Sequence, residues 1–434
     1  MHGSALVLGG GVAGIQSSLD LANKGIKVYL VEKEPSIGGV MALLDKTFPT
    51  NDCSICILAP KMNECFAHSN IEVMTYSELT SLEGEAPNFQ VTILKKARFI
   101  DEKKCTGCGD CTQKCPTKVP NKYNMNLDER KAIYLPFPQS VPRIMTIDKE
   151  LCLKFTKDKC GNCSKVCKAK AIDYEQKDEE IVLQVGAVVV ASGFEIYKPI
   201  EMFEYGYGKY PNVRTAIEYE RLICASGPTE GNLLVEPNGE HPSQIGFIQC
   251  VGSRDFRRKN PYCSSVCCMY ATKEAMLARE HYEDIEAYIF YTDLRAVGKN
   301  FQQYVDRAKK DYDIKYIRAR PGQIVENPDT NKLTIWYDDL INPNVQSLEV
   351  DMVVLCTALM PSTTANRIGE ILGIELDDNG FFRAKDLLGD PVSSTRDGIF
   401  IAGYCAGPKD IPESVTQASG ASARASEVIA QAGG

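Results

Sequence analysis

The beginning of the chain alternates apolar runs with a glycine-rich turn. Residues 5–8, Ala-Leu-Val-Leu, predict a buried strand, and the turn after them leads into a predicted helix that ends near Lys24. A second apolar run predicts a strand over residues 27–31 that ends in Glu32. This order of strand, helix and strand predicts a βαβ unit with two parallel strands.

The region from 244 to 337 shows the same alternation. Its hydrophobic pattern predicts strand, helix, strand, helix and strand in turn, over residues 245–249, 265–281, 287–291, 300–311 and 314–318. Alternating strands and helices are typical of a sheet covered by helices. We therefore predict a second, Rossmann-like domain in this region.

The remaining stretches follow neither of these two patterns throughout. Between residues 99 and 174 the periodicity fades and cysteines become frequent, which indicates a small module organised by metal. Strand-like sequence resumes over residues 181–191. The last part holds buried strands over 350–355 and 398–402 and a helix over about 412–426, which we expect to complete the first domain.

Composition adds a compartment and excludes one class of partner. The net charge of −8 argues against nucleic acid. The longest apolar runs fall far short of the roughly 20 residues of a membrane-spanning helix, and the first strand leaves no room for a signal peptide. We therefore expect a cytoplasmic protein without direct membrane insertion. In a reducing compartment, 18 cysteines indicate metal or redox chemistry rather than a disulfide framework.

Three glycines follow the first strand with the spacing G-x-G-x-x-G. Gly9, Gly11 and Gly14 would let the backbone approach a pyrophosphate at the N-terminus of the next helix. Glu32, at the end of the second strand, is placed to bind ribose hydroxyls. The glycines alone would also fit a tight turn, but their strand–helix–strand context and the terminal acid favour a dinucleotide, FAD or NAD.

Two further stretches favour FAD. Residues 34–39, Glu-Pro-Ser-Ile-Gly-Gly, resemble the adenine-side continuation of flavoproteins with two dinucleotide-binding domains, and residues 398–403, Gly-Ile-Phe-Ile-Ala-Gly, resemble their second flavin strand. Tyr404 and Cys405 then stand where an acid is usual, and Asp410 is the candidate substitute. The helix after it would direct its positive end at the flavin, or would only close the sheet. The further candidate FAD ligands are Lys33, Gly38, Gly39, Gly403, Asp410, Ile411 and Pro412.

The cysteine-rich module carries two runs of four cysteines. The first, C-x2-C-x2-C-x3-C-P, has the spacing of bacterial ferredoxins, in which the fourth thiolate binds the neighbouring [4Fe–4S] cluster. The second has a longer first spacing and Lys168 in place of the proline. The expected ligands are Cys105, Cys108, Cys111 and Cys167 for one cluster and Cys115, Cys152, Cys160 and Cys163 for the other. Zinc is the alternative metal.

The strand predicted over 245–249 leads to no second glycine motif. It leads to Cys250, and Cys263, Cys267 and Cys268 follow near the start of the next predicted helix. Because a helix N-terminus favours negative charge, we predict a third [4Fe–4S] cluster at these four cysteines, in place of an NAD(P)H site. A redox disulfide and buried structural cysteines are the alternatives.

Two charged residues are candidate catalytic groups. Lys273 lies one turn beyond the cysteines on the same predicted helix, where a cation could reach a flavin nitrogen and stabilise reduced states. Glu220 is the candidate ion-pair partner of Lys273. Solvent-exposed side chains would explain both residues equally well.

Three stretches resemble the family formed by the A subunits of heterodisulfide reductases. They are Tyr-Cys-Ser-Ser-Val-Cys-Cys-Met-Tyr-Ala-Thr-Lys at 262–273, Phe-Pro-Thr-Asn-Asp-Cys-Ser-Ile-Cys at 48–56 and Gly-Pro-Lys-Asp-Ile-Pro at 407–412. The resemblance covers essentially the whole chain. It implies an iron–sulfur flavoprotein subunit that holds FAD and several [4Fe–4S] clusters and takes part in flavin-based electron bifurcation or confurcation. The implied partners are B and C subunits and a donor such as a hydrogenase, a formate dehydrogenase or a ferredoxin, in a hetero-oligomer.

Other features leave alternatives open. The A subunit of the quinone-interacting membrane-bound oxidoreductase represents a sister class, and an NAD(P)H-dependent disulfide reductase using Cys53 and Cys56 is a third possibility. With Cys65, these two cysteines would fit partner-assisted ligands, a redox pair or packing. Longer family members carry a second ferredoxin module, and this sequence shows none after Gly434. We therefore expect low-potential electrons to leave through the inserted module or a partner protein.

Together these patterns predict an α/β, thioredoxin-reductase-like flavoprotein with two dinucleotide-binding domains and an inserted 2[4Fe–4S] ferredoxin domain. The predicted segments are a first FAD-binding part at 1–96, the ferredoxin-like insertion at 97–180, a second FAD-binding part at 181–240, a Rossmann-like domain at 241–348 and a C-terminal FAD-binding part at 349–434.

Overall fold

The computed structural model describes residues 3–339 and 344–431. The predicted segments that include residues 1, 2, 340–343 or 432–434 lie partly outside the described residues. The chain divides into two compact units. The first comprises the described parts of 1–42, 55–194 and 361–434, and the second comprises those of 43–54 and 195–360.

A seven-stranded sheet forms the centre of the first unit. Ser4–Leu8 lies in parallel between Lys27–Glu32 and Ala187–Val190, and Ala187–Val190 pairs in parallel with Ile399–Ile401. These strands are almost entirely apolar because both faces of the sheet are covered. In spatial order the strands are Ala384–Asp386, Asp390–Ser394, Ile399–Ile401, Ala187–Val190, Ser4–Leu8, Lys27–Glu32 and Ile71–Thr75.

Two helices pack against each other on this sheet. Val12–Ala22 follows the first strand, as the βαβ pattern predicts, and Ile411–Gln431 supplies Ala418 and Ala421 to the same buried core. The Ser17 hydroxyl donates to the Ala418 carbonyl at 3.3 Å, which joins the two helices in a region of small side chains. Within the described ranges, no helix is long and apolar enough to cross a bilayer.

The predicted strand over 181–191 is two strands in different sheets. Glu179–Val185 joins Asn88–Lys95 and Ser77–Glu85 in an antiparallel three-stranded sheet, whereas Ala187–Val190 belongs to the parallel sheet. Gly186 separates them. The first strand alternates exposed and buried positions and the second is buried throughout, as one-sided and two-sided burial require.

The cysteine-rich insertion consists of short elements around a small core. Its core combines Phe99, Ile100, Ile133 and Ile147 with several of the predicted ligand cysteines. Its helices are Asp110–Gln113, Leu153–Lys157 and Asn162–Val166, and its strands are Lys118–Pro120, Glu129–Lys131, Ile133–Tyr134 and Thr146–Ile147.

A five-stranded parallel sheet forms the centre of the second unit. Its strands in spatial order are Val213–Thr215, Met352–Thr357, Gln244–Val251, Glu286–Tyr291 and Lys315–Arg318. The helices of this unit are Ala216–Ile223, Cys267–His281 and Phe301–Asp311. An antiparallel sheet of Pro321–Glu326, Leu333–Asp338 and Val345–Val350 accompanies them. The predicted alternation of strands and helices is therefore present in this unit.

The remaining elements are short, apart from one helix of fourteen residues that contains Pro60. They are Lys46–Thr47, Asp52–Cys53, Phe194–Ile196 and Leu359–Pro361, all strands, and the helices Ser54–Ala67 and Ala365–Leu372.

The boundaries predicted for the second domain need correction. Met352–Thr357 was assigned to the C-terminal FAD-binding part at 349–434, but it pairs with Gln244–Val251 and Val213–Thr215. Residues 195–240, assigned to the second FAD-binding part, also belong to the second unit. An apolar run shows that a strand is buried on both faces, but it does not show which of two parallel sheets the strand joins.

Candidate cofactor sites

The glycine turn after the first strand combines close packing with an open position. Gly9 has φ +107°, and a Cβ atom there would lie 2.3 Å from the Ala191 carbonyl oxygen. A Cβ on Gly14 would lie 1.8 Å from the Gly9 carbonyl oxygen. A Cβ on Gly11 would meet nothing within 4 Å. Tight turn geometry beside an open backbone position is what a pyrophosphate needs from this motif.

Glu32 is held next to this turn by two backbone donors. Its carboxylate accepts from the Gly10 amide at 2.6 Å and from the Glu34 amide at 2.8 Å. Burial raises the pKa of Glu32, while the two backbone hydrogen bonds oppose that shift. The structure therefore places the predicted ribose-binding acid at the glycine turn.

Of the other adenine-side candidates, the two glycines contact the turn. The Gly38 amide donates to the Gly10 carbonyl at 2.7 Å, and a Cβ on Gly39 would lie 2.9 Å from the Gly11 Cα atom. Lys33 is exposed.

The second predicted flavin strand ends in a loop fixed by a lysine. The Lys409 ammonium donates to the carbonyls of Gly403 at 2.9 Å and Gly407 at 2.7 Å, and the Gly403 amide donates to the Gln417 side chain at 3.0 Å. Lys409 was not among the predicted site residues, although it lies inside the stretch 407–412 that carries the family resemblance.

Asp410 has a local structural role. Its carboxylate accepts from the Glu413 amide at 2.8 Å, and the Glu413 carboxylate accepts from the Asp410 amide at 2.9 Å. This reciprocal pair caps the helix that begins with Ile411 and Pro412. A role for Asp410 in binding the ribityl chain of FAD stays a prediction.

A buried hydroxyl supports the fit of this region to a dinucleotide. The Ser192 Oγ atom is buried without a hydrogen-bond partner, and the Ser192 Cα atom lies 3.2 Å from where a Gly9 Cβ would stand. Buried hydroxyls usually have a partner, so a polar ligand at the glycine turn would satisfy this one. The residues present therefore fit the nucleotide that the motif predicts.

One predicted cluster ligand set lines a single cavity. About 330 Å³ of space not filled by protein atoms is bordered by one cysteine of the first run and three of the second. These are Cys115, Cys152, Cys160 and Cys163. The cross-ligation rule had put these four cysteines together, so the donor set and the space fit one cluster.

The other set of the insertion is less completely assembled. Burial raises the pKa of Cys111 to about 12, and the charges of Cys105, Cys108 and Cys163 raise it further. Cys167, the predicted fourth ligand, accepts a hydrogen bond from the Ala171 amide at 3.3 Å. Among the described residues, no three His, Cys, Asp or Glu side chains are close enough to hold one metal ion. A cube asks for a wider arrangement, because each cysteine binds a different iron.

The four cysteines of the second unit share one electrostatic environment. Burial raises the pKa of Cys267, and the charges of Cys250, Cys268 and Cys263 raise it further. Burial likewise raises the pKa of Cys268 to about 11. Cys267 and Cys268 open helix Cys267–His281, as predicted. Such thiols need a nearby positive charge to ionise, which cluster irons would supply.

Lys273 and Glu220 form a buried ion pair. Their side chains are 1% and 2% exposed, which excludes the alternative of two solvated charges. The Lys273 ammonium also donates to the Lys46 carbonyl at 3.0 Å, and the Glu220 carboxylate accepts from the Asp45 amide at 2.9 Å. Burial lowers the pKa of Lys273 to about 8. A catalytic role for the pair stays a prediction.

Three cysteines outside these sets have separate states. Cys53 and Cys56 are disulfide-bonded, which matches the interpretation of these two as a redox pair. Cys65 is a buried free thiol, and burial raises its pKa to about 12.

Comparison with known proteins identifies the class. A model for pyridine nucleotide-disulphide oxidoreductases matches residues 3–422. Two solved thioredoxin reductases, from Lactococcus lactis and T. acidophilum, share the fold, each with a TM-score of 0.53 and 15% and 13% sequence identity. They cover 99% and 98% of this chain, which covers 99% and 97% of theirs. The chain belongs to the pyridine nucleotide-disulphide oxidoreductase family and has a thioredoxin-reductase-like flavoprotein fold.

Within this class the sequence points to one group. The chain is 48% identical over 421 residues to the A subunit of the H2:CoB-CoM heterodisulfide,ferredoxin reductase of Methanothermobacter marburgensis. It is 52% identical over 426 residues to the iron-sulfur A 2 subunit of the CoB–CoM heterodisulfide reductase of Methanopyrus kandleri. The matches cover 97% and 98% of this chain and 63% and 64% of those relatives. The resemblance to the A subunits of heterodisulfide reductases is thereby confirmed.

Proposed function

We propose that the chain is the FAD- and [4Fe–4S]-containing electron-transfer subunit of a heterodisulfide-reductase-type complex, with flavin-based electron bifurcation or confurcation between partner proteins. The observation that carries this proposal is the cavity lined by Cys115, Cys152, Cys160 and Cys163. It lies in an insertion that interrupts a flavoprotein fold. A flavin beside cysteine-lined cluster sites supports electron transfer rather than substrate chemistry in this chain.

The residues of the chain have distinct parts in this function. FAD, when bound, would accept an electron pair and release electrons singly. The glycine turn and Glu32 would bind its adenine half, while Gly403 and the capped helix at Ile411 would lie toward the isoalloxazine ring. The two sets of the insertion would form a 2[4Fe–4S] ferredoxin domain. The buried Lys273 ammonium is suited to stabilise negative charge or to hold a proton.

The partners follow from the relatives. Their names include H2, formate and ferredoxin. We therefore propose a hydrogenase, a formate dehydrogenase or a ferredoxin as donor, and B and C subunits as the partners where the disulfide is reduced. The quinone-interacting alternative is not favoured, because the similar relatives carry heterodisulfide reductase names.

The iron-to-flavin ratio of anaerobically purified protein tests this proposal. Three cubes give about twelve irons per FAD and two give about eight. A value near twelve supports the third cluster, and one near eight restricts the clusters to the insertion. Iron near zero, or zinc in its place, would contradict the proposal.

Cysteine variants assign the iron to sites. Cys160→Ser and Cys267→Ser should each lower the ratio by up to about four irons, because each removes a ligand from a different cluster. Cys224→Ser is the matched control, since Cys224 is also a buried free cysteine and belongs to no predicted set. Equal iron loss in all three variants would contradict the assignment.

A further inference from the structure

The cavity of the second cysteine run has one polar side chain that the ligand assignment does not use. Tyr174 lines it, and the Tyr174 hydroxyl oxygen lies 2.9 Å from the Cys163 sulfur. The ring is fixed from the side by Phe155, whose centroid is 5.9 Å away in an edge-on arrangement. The hydroxyl is therefore held at a sulfur that the proposed function assigns to a cluster.

The direction of this hydrogen bond follows from the state of the sulfur. A cluster-bound cysteine is a thiolate and has no proton to give, so the phenol must donate. The phenol also keeps its proton, because burial raises the pKa of Tyr174 and the Cys163 contact raises it further. Ser164 does not compete as a donor to this sulfur, since its hydroxyl donates to the Gly161 carbonyl at 2.8 Å.

The other ligand set of the insertion lacks this feature. Cys167 accepts from a backbone amide, that of Ala171. In residues 97–180, all of which the structure describes, no other side-chain donor is within hydrogen-bond distance of a cluster cysteine. Backbone donors are common at cluster sulfurs, so the phenol is what distinguishes the two sites.

We propose that Tyr174 raises the reduction potential of the cluster bound by Cys115, Cys152, Cys160 and Cys163 relative to its neighbour, so that an electron entering the insertion settles there. The inference rests on the proposed function. Reduction adds one electron and hence negative charge to the cluster, and a donor to a ligand sulfur stabilises that charge. The cluster gains one electron from its neighbour or the flavin, and Tyr174 transfers no proton. Tyr174 is thus a tuning residue and not a ligand.

Redox titration of the full-length protein with its cofactors tests this inference. Tyr174→Phe keeps the ring and its contact with Phe155 and removes only the hydroxyl. With the reduced clusters followed by electron paramagnetic resonance, the variant should shift the reduction equilibrium of one cluster about tenfold toward the oxidised form. For one electron this is a potential lower by about 59 mV. The other clusters should titrate as in the wild type.

Tyr134→Phe is the matched control, because Tyr134 is a half-buried tyrosine of the same insertion whose ring stacks under the Arg130 guanidinium at 3.7 Å. It should leave both potentials unchanged. An unshifted or raised potential in Tyr174→Phe, an equal shift of both clusters, or loss of its iron would overturn the inference while the wild-type iron content still supports the proposed function. Wild-type protein without iron would overturn both.

Discussion

Glu274 is a buried acid that the sequence does not single out, because it lies beside Lys273 in a helix that reads as ordinary. It is 1% exposed, and its Oε2 atom has no hydrogen-bond partner. The ionisable groups that act on it electrostatically, or on which it acts, are Lys273, Tyr219, Tyr270 and Cys356. Burial raises the pKa of Glu274 from 4.5 to about 8, and Lys273 opposes the shift.

This raised pKa makes folding stability depend on pH. The folded chain keeps the Glu274 proton up to about pH 8, while the unfolded chain loses it near pH 4.5, so the folded state binds more protons in that window. Stability from this group therefore falls as pH rises from 4.5 to 8. Glu274→Gln, which stays neutral, should be more stable than wild type at pH 8, by on the order of 2 kcal/mol, and near wild type at pH 5.

Thermal unfolding of the holoprotein at pH 5 and pH 8 measures this difference. The control is Glu286→Gln, since hydrogen bonds from Lys315, Tyr288 and Gln244 lower the pKa of Glu286 to about 2. That acid is ionised in both states above pH 4.5, so its removal should lower the melting temperature similarly at the two pH values. A Glu274→Gln variant with the same pH profile as wild type would show that the carboxyl is not protonated when folded.

Residues with a sequence spacing were predictable, and residues with only a spatial role were not. Cys115 could be grouped with three cysteines of the other run because ferredoxin spacing implies cross-ligation. Tyr174 has no such pattern, since a tyrosine eleven residues after Cys163 carries no periodicity. Its contact arises from the fold of the insertion. Glu220 was an intermediate case, because the partner was named correctly but the burial of the pair was not predicted.

At the scale of elements, Arg98 joins the insertion to the flavin-binding part. It is fully buried, and its guanidinium donates to the Pro35 carbonyl at 2.9 Å and to the Thr146 hydroxyl at 2.9 Å, with a further contact to Thr75. Arg98→Met keeps most of the side-chain volume but leaves these buried oxygens without a donor. The free energy of unfolding should fall by about 3 kcal/mol.

Chemical denaturation of the two variants Arg98→Met and Arg383→Met measures this effect. Arg383 is the control because it pairs with Glu375 at 3.0 Å on the surface, where both side chains are more than 60% exposed. Exposed pairs contribute about 0–1 kcal/mol. Equal effects of the two substitutions would show that Arg98 does not hold the insertion in place.

Whole elements were predicted where the sequence changes period and missed where it does not. Helix Cys267–His281 was expected over 265–281, and Phe301–Asp311 over 300–311. The sheet partner of Met352–Thr357 could not be predicted, because pairing depends on the rest of the sheet and not on the strand itself. The division at Gly186 was visible in principle, since alternating polarity ends there and a continuous apolar run begins.

At the scale of the whole molecule, the second unit has a Rossmann-like sheet whose nucleotide loop has been replaced. Strand Gln244–Val251 ends at Cys250 and Val251, and a Cβ on the following Gly252 would lie 2.4 Å from the Tyr197 ring. The next helix begins with Cys267 and Cys268 instead of a glycine turn. A pyrophosphate therefore has no open backbone cradle at this strand end, unlike at Gly11 in the first unit.

This difference between the two units predicts how the flavin is reduced. Excess NADPH or NADH, mixed anaerobically with the holoprotein, should leave the flavin absorbance unchanged, while dithionite as the control should bleach it. The reason is that a hydride donor must be held against the ring, and the residues that the structure describes offer no second dinucleotide turn to hold it. Rapid bleaching by NADPH would contradict this prediction and would favour a self-contained disulfide reductase that uses Cys53 and Cys56. Electrons must otherwise arrive through the cluster sites, which makes a partner protein necessary for turnover.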